Sequence, residues 1–185
     1  LRHCPSAVCT PIDEAWRTLN GGRPDIPVPK DPKQRPVTSF SFQRFLIPEI
    51  CEFKGRGIYL DSDQLVMSDI TEMWEQPFPG DANVLTTGGW QSAVMLIDCE
   101  RTPWRIAELV EQIDAGRFGY RHLMNLKWDG AQIAGTLGGR WNRMDDPQDD
   151  CALLHYTHMR KQPWLTTKHP HGHYWVSELR IALGE

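Results

Sequence analysis

The chain has 185 residues and a net charge of −4, with 40% apolar and 24% charged residues. This length predicts a single domain over residues 1–185 with its own core, and this composition excludes a disordered or fibrous protein. The acidic balance provides no basic face for nucleic acid, and the absence of any run of about 20 apolar residues argues against a membrane span.

The first half of the chain predicts a loop, a strand and a helix. Residues 20–36 hold five prolines and are predicted to be a loop after a short strand at 7–10. The apolar run at 57–60 predicts a buried strand that ends at Asp61. Ser68 and Asp69 favour the start of a helix that carries its apolar residues on one face.

The second half of the chain predicts another strand and two helices. Residues 93–97 indicate a buried strand ending at Asp98, and a helix follows with Thr102 as its N-cap and Gly116 at its end. The tail at 168–185 predicts a short helix. Alternating strands and helices are typical of an α/β fold with a mostly parallel central sheet flanked by helices.

The number and spacing of the cysteines indicate the redox state of the cellular compartment. The chain has five, an odd number, and no two have C-x-x-C spacing. This pattern argues against both a disulfide framework and a zinc ribbon. Buried thiols are the simplest interpretation, and we expect a reducing, cytoplasmic location.

Asp61 and Asp63 are the most informative acidic pair in the sequence. They follow the predicted strand, and ligands of such sheets gather at the carboxyl ends of strands. Two adjacent carboxylates repel each other, and a divalent cation relieves that repulsion through oxygen ligands. Such a cation can neutralise a diphosphate leaving group, as in a metal-dependent glycosyltransferase. The alternative is a haloacid-dehalogenase-type phosphohydrolase, in which Asp61 attacks phosphorus and Asp63 is the general acid/base.

Four blocks of sequence stand out between Phe40 and Trp164. They are RFLIPEI at 44–50, IYLDSD at 58–63 followed by SDI at 68–70, QSAVMLID at 91–98, and HY at 155–156 followed by KQPW at 161–164. These blocks, and the order in which they occur, resemble glycosyltransferase family 8, which contains glycogenin and bacterial galactosyltransferases.

The resemblance implies a GT-A fold and a UDP-sugar donor whose hexose is transferred, with retention, to an acceptor that the sequence does not identify. It also implies that Asp61, Asp63 and His155 hold a Mn²⁺ or Mg²⁺ ion. The residues that it implies in substrate binding are Arg44, Asp61, Ser62, Gln91, Ser92 and Lys161. Gln91 is in addition the candidate catalytic side chain.

Departures from the family pattern keep a third interpretation open. Gln91 stands where the family has Asn, Gln162 separates Lys161 from Pro163, and the family's D-Q-D segment has no match. The chain is also expected to lack the family's first strand and helix, which hold the uracil and ribose. We therefore weigh an inactive, glycosyltransferase-like fragment beside the two enzyme classes.

Overall fold

The computed structural model describes residues 10–23, 25–36, 38, 40–88 and 92–185. The described helices are α1 (Ile12–Leu19), α2 (Ile47–Ile50), α3 (Thr71–Trp74), α4 (Ile106–Asp114), α5 (Tyr120–Met124) and α6 (Gly172–Leu183), with short 3-10 turns at Pro32–Gln34, Gln43–Leu46 and Gly139–Asn142. The described strands are β1 (Arg56–Leu60), β2 (Gln64–Val66), β3 (Val84–Thr86), β4 (Val94–Asp98), β5 (Ile133–Ala134), β6 (Arg143–Met144) and β7 (Leu153–His155). The strand predicted at 7–10 lies almost wholly outside the described residues.

The main sheet has the strand order β1-β4-β3-β5. Strand β4 runs antiparallel to both β1 and β3, whereas β3 and β5 are parallel. The predicted α/β class is confirmed, but among the described strands of this sheet the predicted mostly parallel arrangement is wrong, since one pairing of three is parallel. The physical reason is β3, a three-residue strand that the sequence did not reveal. A short connection then joins β3 to β4, and short connections produce antiparallel neighbours.

The reversed direction of β4 decides which residues meet at the sheet edge. Leu60 at the carboxyl end of β1 pairs with Val94 at the amino end of β4. The segment that precedes β4 therefore lies beside the segment that follows β1. This pairing places Ser92 next to Asp61, and a parallel β4 would have separated them.

A smaller second sheet has the order β2-β7-β6. Strand β2 pairs antiparallel with β7, with Gln64 directly opposite His155. The ladder continues past the strands, because the amide of Tyr156 donates to the Asp63 carbonyl at 2.9 Å. Two short strands far apart in sequence therefore bring His155 beside Asp63.

Strand β4 separates two hydrophobic cores. Its Met95 and Ile97 side chains join the core formed with α4, while Val94 and Leu96 join the core on the opposite face. Side chains alternate between the two faces of a strand. Because both faces of β4 are covered, its sequence is a continuous apolar run. Burial of each such side chain contributes about 1.5–3 kcal/mol.

Helix α4 carries the predicted apolar stripe on its buried side and ends before Gly116, whose φ is +72°. The prediction that Thr102 caps it is wrong, because the helix begins four residues later. The Thr102 hydroxyl instead donates to the Asp98 carbonyl at 2.6 Å. The first helical amide, that of Ile106, donates to the Glu49 carboxylate at 2.7 Å, so a distant side chain satisfies the helix start.

Helices α3 and α6 and the proline-rich segment lie close to their predicted positions, whereas α1 and α5 were not predicted. Helix α3 begins at Thr71, whose amide donates to the Asp69 side chain at 2.9 Å. The described residues between 20 and 36 form a loop that contains one 3-10 turn. Helix α6 occupies the predicted tail position, and none of its residues is fully buried. Within the described ranges, no helix combines the length and the apolar composition required to cross a bilayer.

Candidate metal centre

The carboxylates of Asp61 and Asp63 and the imidazole of His155 converge at one point. Asp61 follows β1 of the main sheet, Asp63 precedes β2, and His155 is the last residue of β7. One potential ligand atom from each side chain lies within 4.8 Å of the others. Among the residues that the structure describes, no other group of three acidic, histidine or cysteine side chains meets this condition.

The Asp61 carboxylate is partly buried and tightly held. Its Oδ1 accepts a hydrogen bond from the Tyr59 hydroxyl at 2.6 Å and another from Arg44 Nη2 at 3.1 Å. Burial raises the pKa of Asp61 above its ordinary value, and the Arg44 charge and the Tyr59 hydrogen bond offset only part of this effect. Burial likewise raises the pKa of Tyr59, which keeps its hydroxyl protonated and able to donate.

Arg44 connects the 3-10 turn at Gln43–Leu46 to both sides of the sheet edge. Its Nη1 donates to the carbonyl and the hydroxyl of Ser92, at 2.8 and 2.7 Å, and its Nε donates to the Ser41 carbonyl at 3.1 Å. The guanidinium also lies 5.0 Å from the centre of the Tyr59 ring. This planar set of donors fixes the position of Asp61 relative to the segment before β4.

Asp63 is held by two neighbours. His155 Nε2 lies 3.1 Å from its Oδ1, and the side-chain amide of Gln162 donates to its Oδ2 at 3.2 Å. The same Gln162 amide donates to the Tyr156 carbonyl at 3.0 Å. The two carboxylate oxygens of Asp63 therefore have different neighbours, and Oδ1 is the one that faces the imidazole.

This set of donors fits a divalent transition metal. Carboxylate oxygens are hard ligands that suit Mg²⁺ and Mn²⁺, and the addition of one imidazole nitrogen favours a transition metal over Ca²⁺. Two nearby carboxylates with one buried arginine beside them leave negative charge at the centre, which a cation would neutralise.

The other predicted site residues are only partly brought together. Ser92 is buried and bonded to Arg44, whereas Ser62 is exposed in the turn between β1 and β2. Lys161 is exposed in the loop after β7. Its predicted contact with a diphosphate stays a prediction. Gln91, the candidate catalytic side chain, lies outside the described residues.

Sequence reasoning missed four side chains that contact the predicted ligands: Tyr59, Gln64, Asn142 and Gln162. A signal existed for Tyr59, because residues i and i+2 of a strand point to the same face and Tyr59 precedes Asp61 by two. No local signal marks the three amides. Asn142 and Gln162 reach their partners only through the tertiary fold.

No known family model matches the chain, and no curated protein matches it. Similar solved structures do exist. The glycosyltransferase GlyE of Streptococcus pneumoniae TIGR4, in its apo form, matches with a TM-score of 0.55 and 20% identity over 76% of this chain. The galactosyltransferase LgtC, solved with donor and acceptor sugar analogs, matches with a TM-score of 0.55 and 16% identity over 87% of this chain.

The chain spans 43% of the length of GlyE and 70% of that of LgtC. An active-site mutant of LgtC gives a similar match, with a TM-score of 0.56 and 16% identity. The expected GT-A architecture is confirmed at the level of the fold: this chain folds like the glycosyltransferases GlyE and LgtC.

Proposed function

We propose that the protein is a metal-dependent glycosyltransferase that uses a UDP-hexose as donor and retains the anomeric configuration. The observation that carries the proposal is the convergence of Asp61, Asp63 and His155 within 4.8 Å at a sheet edge. It occurs in a chain whose fold is that of solved glycosyltransferases. LgtC was solved with sugar analogs, which supports sugars as the substrate class.

Each residue has a distinct role in this proposal. Asp61, Asp63 and His155 hold Mn²⁺ or Mg²⁺, which when bound supplies positive charge to the diphosphate leaving group. Arg44 and Ser92 orient Asp61 and the adjacent donor sugar. We assign the capture of the diphosphate to Lys161, and contact with the reacting sugar to Gln91.

Calorimetric titration of UDP, with and without Mn²⁺, tests the metal–nucleotide site. We expect UDP to bind only when Mn²⁺ is present, and Asp63→Ala to abolish that binding. Asp81→Ala is the matched control, because it removes an equal charge from an exposed turn before β3. Equal binding by Asp63→Ala and the unaltered chain would refute the assignment of the acidic pair.

Product analysis separates the enzyme classes. A glycosyltransferase releases UDP from a UDP-hexose in the presence of Mn²⁺, and a phosphohydrolase releases inorganic phosphate from a monoester. Phosphate release that depends on Asp61 would favour the haloacid-dehalogenase-type alternative. Mn²⁺-dependent UDP binding without either product would favour the inactive, glycosyltransferase-like interpretation.

A further inference from the structure

Three side-chain amides surround the candidate metal ligands. Asn142 and Gln162 are buried, with 8% and 6% of their surface exposed, and Gln64 is half-buried. Buried amides normally find hydrogen-bond partners, and here those partners include the ligand-bearing residues themselves. Unlike carboxylates, amides add no charge, so they leave the charge of the site to Asp61 and Asp63.

Gln64 joins the two sheets through both ends of its amide. Its Oε1 accepts a hydrogen bond from the backbone amide of Asp61 at 3.1 Å. Its Nε2 donates to Asn142 Oδ1, at the longer distance of 3.4 Å. One side chain therefore ties the segment after β1 to the 3-10 turn at Gly139–Asn142, which precedes β6.

Asn142 favours a proton on Nδ1 of His155. Asn142 Oδ1 lies 2.8 Å from His155 Nδ1, closer than Gln64 Nε2 at 3.2 Å, so an Nδ1–H that donates to the amide oxygen is the better-matched arrangement. His155 Nε2 also faces an acceptor, because it lies 3.1 Å from Asp63 Oδ1. A cation that binds both Asp63 and Nε2 would remove that competition and leave the proton on Nδ1.

Gln162 performs the corresponding task for Asp63. The two hydrogens of its amide are used by the Tyr156 carbonyl and by Asp63 Oδ2. The first bond anchors the amide to the backbone next to His155, so the second fixes the orientation of the carboxylate. Gln162 is the residue that interrupts the expected lysine–proline–tryptophan block, and this contact gives the interruption a physical role.

We propose that Gln64, Asn142 and Gln162 are positioning residues of the metal centre. Gln64 and Asn142 hold His155 as the Nδ1–H tautomer, whose Nε2 lone pair faces the metal position, and Gln162 fixes Asp63. The inference rests on the metal site of the proposed function. Substitution of a residue that hydrogen-bonds to a metal ligand typically lowers metal affinity by about 10–100-fold.

Calorimetric titration with Mn²⁺ alone tests Asn142. We expect Asn142→Leu to weaken Mn²⁺ binding by about 10–100-fold and Asn142→Asp, which keeps the acceptor, to restore it to within a few-fold. Asn83→Leu is the matched control, because Asn83 is an equally buried amide that bonds Gly130 and Gln132 away from the site. Unchanged Mn²⁺ affinity in Asn142→Leu would overturn the role of Asn142.

The same titration tests the other two amides. Gln64→Met and Gln162→Met keep most of the side-chain volume and remove the amide. We expect each to weaken Mn²⁺ binding, whereas Gln132→Met, which alters an exposed glutamine, leaves it unchanged. Affinities equal to that of the unaltered chain in both site variants would overturn the positioning role of Gln64 and Gln162.

Nitrogen-15 NMR of the unaltered chain reports the tautomer without any substitution. With diamagnetic Zn²⁺ bound, we expect coordination through Nε2 and the His155 proton on Nδ1. Coordination through Nδ1, or a proton that stays on Nε2, would overturn the inference even if sugar transfer were established. Failure of the unaltered chain to bind Mn²⁺ or Zn²⁺ would instead refute the metal site of the proposed function.

Discussion

Gln64 lies directly opposite His155 in the antiparallel pairing of β2 with β7. A shift of that pairing by one residue would turn the His155 side chain to the other face of the small sheet. The pairing extends over only three residue pairs. The Tyr156–Asp63 backbone hydrogen bond adds a further link at the site. The position of the imidazole thus depends on a short ladder, which the surrounding amides reinforce.

Substitution of His155 separates the two proposed enzyme classes. We expect His155→Ala to weaken Mn²⁺-dependent UDP binding by more than about 10-fold, because one of the three proposed protein ligands is lost. A dehalogenase-type phosphatase needs no such histidine and would keep its activity. The control is His122→Ala, which alters an exposed histidine on α5. Calorimetry and phosphate release measure both outcomes, and unimpaired UDP binding by His155→Ala would exclude the imidazole as a ligand.

Arg44 should contribute to stability as well as to the site. Its ion pair with Asp61 is 3.1 Å long, with only 10% and 22% of the two side chains exposed. Arg44→Met leaves Asp61 without its charged partner, so we expect a loss of about 3–5 kcal/mol in the free energy of unfolding. Lys54→Met, which breaks an exposed pair with Glu52, should change it by about 0–1 kcal/mol. Urea unfolding, monitored by circular dichroism, compares the two variants. Equal losses in the free energy of unfolding would contradict the prediction.

The raised pKa of Asp61 predicts a pH-dependent response to Mn²⁺. If Asp61 is a ligand as proposed, the cation binds its ionised carboxylate. At low pH the cation must then displace a proton, and burial makes that proton harder to remove. In the metal-free protein the folded state holds this proton more tightly than the unfolded state. The contribution of Asp61 to stability therefore declines as the pH rises from the ordinary aspartate pKa through the raised one.

Thermal unfolding with and without Mn²⁺, across an acidic-to-neutral pH series, tests this competition between the proton and the cation. We expect the increase in Tm caused by Mn²⁺ to grow as the pH rises, because the proton no longer competes with the cation. The charged or titratable groups in contact with Asp61 or next to it are Arg44, Tyr59, Asp63 and His155. An increase in Tm that stays constant over the series would show that Asp61 is not a ligand.

Gly57 tests the packing that supports β1. A Cβ placed there would lie 2.4 Å from the Ile47 side chain, far inside the van der Waals contact distance. We expect Gly57→Ala to lower the free energy of unfolding by about 1–3 kcal/mol through overpacking. Gly139→Ala is the control, because among the described residues outside its immediate neighbours the nearest atom to its Cβ is Nη1 of the flexible Arg143 side chain, at 3.8 Å. Equal stability of the two variants, measured in urea, would mean that α2 can move away from β1 without cost.

The sequence predicted the parts of the site that lie in continuous motifs. The strand at 57–60, the acidic pair after it and the strand that begins near 93 all stand close to their predicted places. A five-residue run of apolar side chains is a strong local signal for a buried strand. The family resemblance added His155, which no local pattern would have connected to Asp63.

What the sequence did not predict depends on contacts between distant segments. The three residues of β3 are too short a run to distinguish from a loop, yet they reverse the direction of β4. The bond from Gln64 to Asn142 spans 78 residues, and the bond from Gln162 to Asp63 spans 99. Amides of this kind carry no periodicity or spacing that would mark them before the chain is folded.

Asp61 follows the main sheet, whereas His155 belongs to the smaller one, whose strands have only two or three residues. A cation held by both would add a cross-link between the two sheets, which already share the Gln64–Asp61 hydrogen bond and one hydrophobic core. Local opening of the smaller sheet would then require release of the ion, and amide hydrogen exchange in β7 would slow as the ion is bound. Binding of the ion and rigidification of the edge at which we propose that the nucleotide binds would then be a single event.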